Sequence, residues 1–144
     1  MPESIQVSTL LPADLQTLYQ AWLDSEQHSR FTGSPAEINP RVGGIFSAWD
    51  GYIKGVTLEL TPYSRIFQSW RAADFPSEAD DSELEIRLEE AAGDTLLTLT
   101  HSNLPDGQGE EFRQGWLDFY FTPMQAYFTR REITPGLSNQ APGL

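Results

Sequence analysis

From Ala36 to Asn103 apolar and polar residues alternate with a period of two, and directly afterwards the period becomes that of a helix. That switch limits the fold more than any other feature of the chain. Turn signals cut the alternating part into pieces: Gly43-Gly44, Asp50-Gly51, Pro62-Tyr63-Ser64, the acidic stretch Asp74 to Asp81, and Ala92-Gly93-Asp94. Between them lie strands expected at Phe46 to Trp49, Tyr52 to Leu60, Arg65 to Arg71, Glu83 to Glu89 and Thr95 to Ser102, with an irregularity at Gly55. In the cleanest of these, Leu84, Ile86 and Leu88 share one face while Glu83, Glu85, Arg87 and Glu89 share the other. Leu97, Leu99 and His101 share a face in the next. The pattern predicts an antiparallel meander with one dry and one wet side.

What flanks the meander completes the plan. Ser4 to Thr9 reads as a first strand with Ile5 and Val7 on one face. Pro12 suits the start of a helix, because its missing N–H costs nothing there. Leu15, Leu18, Tyr19, Trp22 and Leu23 then form one helical stripe. Asp24 with Gln27 reads as a capping box for a second short helix ending near Phe31-Thr32-Gly33. After Pro105-Asp106-Gly107 a long helix is expected to about Arg131, with Glu110 and Glu111 in its first turn and Arg130 and Arg131 at its end. Phe112, Trp116, Phe119, Tyr120, Pro123 and Tyr127 would form its broad face, flanked by Leu117, Phe121, Met124 and Phe128. Pro123 should kink it. The predicted class is α+β: a curved antiparallel sheet wrapped around a long C-terminal helix, with two short helices after the first strand. Residues 1–131 are read as a single domain and 132–144 as a mobile tail. A helix laid across a curved sheet leaves a cavity between them.

Charge and composition remove several function classes. The 144 residues carry nine Lys+Arg against twenty-one Asp+Glu, a net charge of −12, which repels phosphate backbones and argues against nucleic acid. The apolar runs are a few residues long, so no membrane insertion is expected. Met1-Pro2-Glu3-Ser4 lacks the regions of a signal peptide. Zero cysteines exclude disulfides, thiolate metal sites and cysteine nucleophiles, and fit a cytoplasmic location. The acids fall on outward strand positions, in the loop from Asp74 and at the start of the last helix. Acidity is therefore read as a solubility feature, which weakens the case for anionic ligands unless Arg71 or Arg41 turns inward.

Several stretches together resemble one family. They are Phe31-Thr32-Gly33, Asn39-Pro40-Arg41-Val42-Gly43-Gly44-Ile45-Phe46-Ser47-Ala48-Trp49-Asp50-Gly51-Tyr52-Ile53 with Gly55, Ile66-Phe67-Gln68-Ser69-Trp70-Arg71, Leu97 through Pro105, and Gly115-Trp116 through Tyr127-Phe128. In this order they look like the family of activator of Hsp-90 ATPase homologues, within the SRPBCC (START-like, helix-grip) superfamily. The resemblance spans about residues 4 to 130 and implies the helix-grip fold. Its name comes from the C-terminal domain of a cochaperone. The resemblance reaches only that C-terminal domain, and the separate N-terminal domain by which the cochaperone engages the chaperone is not expected among the 144 residues.

The candidate cavity residues are Phe46, Trp49, Tyr52, Trp70, Arg71, His101, Trp116, Tyr120 and Met124. The rings suit a flat or acyl ligand, with tyrosine hydroxyls as handles, or they are ordinary core. His101 on an inward face either reads a ligand, acts as acid or base with Tyr120 or Asp50, or is a satisfied core histidine. His28, among Gln27, Ser29 and Arg30, reads as a surface residue. Arg71 either holds a carboxylate or pairs with Asp74 or Glu83. Two histidines more than seventy positions apart give no metal-ligand spacing, the acids Glu78, Asp80 and Asp81 read as a solvated loop, and no cofactor motif is found. Three functions follow as expectations. The first is binding of a small hydrophobic or lipid-like molecule without evident catalysis. The second is regulation of a chaperone ATPase or another protein partner, as monomer or homodimer. The third is catalysis by an acid–base pair in the cavity.

Overall fold

The computed structural model describes residues 3–133. The elements run β1 (Glu3–Leu11), α1 (Leu15–Leu23), α2 (Ser25–Thr32), β2 (Glu37–Ile38), β3 (Ile45–Ala48), β4 (Ile53–Thr61), β5 (Arg65–Ala72), β6 (Ser82–Ala91), β7 (Asp94–Leu104), α3 (Gly109–Trp116), a π-helical turn (Leu117–Phe121) and α4 (Thr122–Ile133). The strands form one seven-stranded antiparallel sheet in the order β1-β7-β6-β5-β4-β3-β2. Strands β2 to β7 pair with their sequence neighbours, and β1 closes the far edge against β7. The pair α1 and α2 therefore carries the chain from one edge of the sheet to the other. The alternation is realised strand by strand: in β5, Ile66, Gln68, Trp70 and Ala72 are buried while the residues between them are half-buried.

Local chemistry sets the helix ends. Asp14, not Pro12, starts α1: its carboxylate accepts the Thr17 N–H at 2.8 Å. Asp24 caps α2 by accepting the Gln27 N–H, also at 2.8 Å, and Gly33 ends it at φ +80°, a conformation that suits glycine. The Gln27 side-chain oxygen accepts the Tyr127 hydroxyl of α4 at 3.3 Å. No side chain of Gln108 caps α3; the cap comes from the other end of the sequence. The Glu3 carboxylate accepts the Gly107 and Gly109 N–H groups, both at 2.7 Å, and so fixes the long helix to β1.

The expected kink at Pro123 takes the form of a π turn just before it. The Thr122 N–H reaches back to the Leu117 carbonyl, five residues away. A proline ring clashes with the carbonyl four residues earlier in a regular α-helix, and a wider turn relieves that clash. The turn also corrects the face of the helix. Steps of four residues overshoot an α-helical turn by about 40° each, and the π turn absorbs part of that drift. Trp116, Tyr120, Met124 and Phe128 stay on one buried face, with Phe121 beside them. Phe119, expected on the inward face, is instead 60% exposed.

Gly55 was the expected irregularity in its strand, but the register shift of β4 lies between Thr57 and Glu59. Gly55 has another reason to be glycine. A Cβ there would stand 1.9 Å from the Ser69 carbonyl oxygen and 2.6 Å from the Phe46 ring. Of the tail expected over 132–144, residues 134–144 lie outside the described residues, and 132 and 133 continue α4. Among the described residues no helix is long and apolar enough to cross a membrane.

Candidate functional site

A cleft of about 440 Å³ opens where α3 lies across the β3–β4 end of the sheet. Three segments build it. The β3–β4 turn supplies Trp49 and Tyr52, and it is sharp because Trp49, Asp50 and Gly51 all take positive φ (55°, 58° and 89°). Strand β4 adds Ile53 and β5 adds Trp70, followed by Asp74 in the next loop. Helix α3 and the π turn supply Gln108, Glu111, Phe112, Gly115, Trp116, Phe119 and Tyr120. The rings interlock edge to face: Trp49 meets Phe119 at 5.9 Å and Tyr120 at 6.1 Å, and Trp70 meets Phe112 at 5.5 Å.

Five sequence candidates (Trp49, Tyr52, Trp70, Trp116 and Tyr120) line this cleft, and four do not. Phe46 packs over Gly55, and Met124 is buried one turn beyond Tyr120. Arg71 lies on the other face of β5. Its guanidinium donates to the Ala79 and Pro76 carbonyls at 2.7 and 2.8 Å and to the Asp81 carboxylate at 3.2 Å. Its acid is thus Asp81, rather than the Asp74 or Glu83 that the pattern suggested. By folding the loop over itself, Arg71 leaves Asp74 at the cleft.

His101 sits behind the cleft wall with every proton placed. The Trp116 indole N–H donates to its Nδ1 at 3.0 Å. With Nδ1 accepting, Nε2 carries the hydrogen and donates to the Ser82 hydroxyl oxygen at 2.8 Å. Ser82 passes its own hydrogen to the Trp70 carbonyl at 2.6 Å. A histidine 2.8 Å from a serine resembles a nucleophile and its base, but here the proton runs from histidine to serine. This ring cannot accept the Ser82 proton without losing Trp116. The acid–base pairs considered for His101, with Tyr120 or Asp50, are not formed: Tyr120 bonds to His28, and Asp50 lies in the β3–β4 turn.

His28 corrects the sequence reading most sharply. It is 4% exposed, not a surface residue. The Trp22 carbonyl can only accept, so Nδ1–H donates to it at 2.9 Å, and the Tyr120 hydroxyl donates to Nε2 at 3.0 Å. Helix α2 packs against the long helix, and His28 and Phe31 form its buried stripe. Burial holds both histidines neutral. It pulls His28 down to about 4, against the opposing effect of the Trp22 carbonyl, and His101 down to about 3. Burial also pushes the Tyr120 hydroxyl up, so it stays a donor.

The model of Activator of Hsp90 ATPase homolog 1-like proteins matches residues 12–129. The chain belongs to that family. The human Activator of 90 kDa heat shock protein ATPase homolog 1 is 28% identical over 113 residues, 78% of this chain and 33% of the relative. This chain thus spans about a third of the length of the curated relatives it matches. Among solved structures, an Hsp90 activator from Plasmodium falciparum superposes with a TM-score of 0.78 at 27% identity, over 86% of this chain and 94% of that one. CalU16 from Micromonospora echinospora gives 0.71 at 28% identity, over 90% and 80%. The helix-grip architecture expected of the family is the one observed.

Within this family member, sequence reasoning missed Ile53, Asp74, Gln108, Glu111, Phe112, Gly115 and Phe119 as cleft residues. A signal for some of them existed. Glu111, Gly115 and Phe119 recur every four residues on one helix face, and a glycine inside that face marks a place where the surface is left open.

The histidines give a pH dependence with a definite sign. Unfolded histidines titrate near 6.5, whereas the folded ones stay neutral to about 4 and 3. Their full contribution is present above pH 6.5 and is lost as pH falls from there toward the folded values, because the unfolded chain then binds protons that the fold refuses. Each histidine can remove up to about 1.4 kcal/mol per pH unit in that window. In urea unfolding from pH 7 to pH 4.5, a His28→Asn/His101→Gln variant should be less stable at pH 7 but show a flatter decline. Relief of the net charge acts on both proteins alike. Equal slopes would refute the buried neutral assignment.

Proposed function

We propose that this protein binds a small hydrophobic molecule in the cleft between α3 and the β3–β4 end of the sheet. The observation that carries this reading is the cleft itself: about 440 Å³, walled by seven aromatic side chains among twelve lining residues. That is the size and character of sites that bury drug-sized ligands. Of the cleft's rings, Tyr52 (44%) and Phe119 (60%) are exposed, and an apolar molecule covering them recovers the free energy that exposed ring surface costs. No catalytic step is assigned, since both buried histidines have their protons committed elsewhere.

Gly115 provides a test that separates binding from folding. A Cβ at this position would have Phe119 as its nearest neighbour, at 3.9 Å, so the first atom of a side chain meets no clash, and a larger one enters the cleft that Gly115 lines. Gly115→Leu should raise stability by about 0.5–1 kcal/mol through helix propensity while abolishing thermal shifts produced by an apolar-ligand panel. Shifts that survive in this variant place the ligand elsewhere, and a panel that moves neither protein counts against binding altogether.

A second reading is regulation of a chaperone ATPase through protein contact. Two observations favour it: the Hsp90 activators among the relatives, and exposed Val42 (59%) before β3, Ile45 (71%) on β3 and Leu58 (40%) on β4. The host chaperone's ATPase rate would rise on adding this protein and fall back with Ile45→Asp. A rate unmoved by the wild-type protein removes this reading.

A further inference from the structure

The cleft's rings are accompanied by charge of one sign only. Of its twelve lining residues, two are carboxylates, Asp74 and Glu111, and none is Lys, Arg or His. Arg71, three residues before Asp74, is held on the opposite face of β5 by Asp81 and two backbone carbonyls and does not balance them. Asp74 comes from the β5–β6 loop and Glu111 from the first turn of α3, so two separate elements bring acids to the same opening. Both act on one group: burial, the adjoining Asp74 and the charge of Glu111 push the Tyr52 phenol up to about 12. Asp74, Glu111 and Tyr52 all line the same cleft. The rings of Trp49, Trp70, Trp116 and Phe119 line it with them.

An aromatic face is electronegative, and a cation over it is attracted, more strongly as water is excluded. An anion would meet repulsion from both the rings and the carboxylates. An uncharged apolar ligand would gain from the rings but leave the carboxylates unused. We infer that the cleft selects a hydrophobic organic cation, an alkyl or aryl ammonium whose apolar body lies among the rings and whose charge sits at Asp74 and Glu111. This rests on the binding function proposed above and names the ligand's chemical class. The −12 net charge of the chain would add long-range attraction for such a ligand.

Three probes on one scaffold test it: 4-phenylbutylamine, 4-phenylbutanol and 4-phenylbutanoate, titrated at pH 7 against the intrinsic tryptophan fluorescence of the full chain. The amine should bind about fivefold or more tighter than the alcohol at low salt, given the modest worth of partly exposed charge pairs and cation–ring contacts. The acid should bind weakest. Added salt should shrink the preference. Asp74 and Glu111 are exposed, so Asp74→Asn/Glu111→Gln should fold normally, and its amine-to-alcohol ratio should drop to near one. Gly115→Leu keeps both acids but fills the cleft, and it should lose the amine. Equal binding of amine and alcohol overturns the cation inference and leaves a hydrophobic site standing. Amine binding that persists in Gly115→Leu, or a preference that survives loss of both acids, overturns it too. Failure of all three probes overturns the site reading along with it.

Discussion

Two hydrogen bonds hold the long helix in place, and the rest of the structure follows from them. Trp116 and Tyr120, one turn apart, each donate to a buried neutral histidine. His101 comes from the sheet and His28 from the second short helix, so the two bonds fix the helix to both layers at once. Each histidine finishes its hydrogen bonding on a backbone carbonyl, directly for His28 and through Ser82 for His101. Nothing polar in either relay is left unpaired, which is the condition under which a buried polar network is tolerated. Charging either ring would break a bond and desolvate a cation, so the neutral state is built into the packing.

The cleft is a consequence of where these bonds set the helix. With Trp116 and Tyr120 turned toward the histidines, the neighbouring positions Gly115 and Phe119 face the opening rather than the core. Glu3 fixes the start of the same helix from β1, and the π turn before Pro123 keeps Met124 and Phe128 in the core further along. The helix is thus anchored at its start, middle and end. Beyond the relays Met124 and Phe128 are buried, and the open cleft lies where rings and carboxylates meet.

Much of this order was legible in the chain. Strands β4 to β7 and their turns followed from alternation and from Asp50-Gly51 and Ala92-Gly93-Asp94, because a half-buried sheet writes its burial directly into period two. What remained illegible depended on contacts between distant segments. Helix α2 holds a single apolar residue, Phe31, so periodicity could not reveal that His28 joins it in the core. Alternation likewise placed His101 and Trp70 inward but said nothing about which end of the sheet stays open. Phe46, Met124 and His101 are inward without reaching the cleft, and Arg71 is not inward at all. The phase of the long helix was misjudged at Phe119 because a π turn is set by the proline that follows it, not by the local apolar pattern.

The tautomers of the two histidines test this account most directly. Long-range proton–nitrogen correlation spectra of histidine-labelled protein distinguish the two ring nitrogens and report their protonation. The expected result at pH 7 is the Nδ1–H form for His28 and the Nε2–H form for His101, with neither ring titrating between pH 7 and pH 5. A ring that gains its proton near pH 6.5, or carries it on the other nitrogen, would contradict the account. For His101 it would also restore a group able to take a proton beside the cleft.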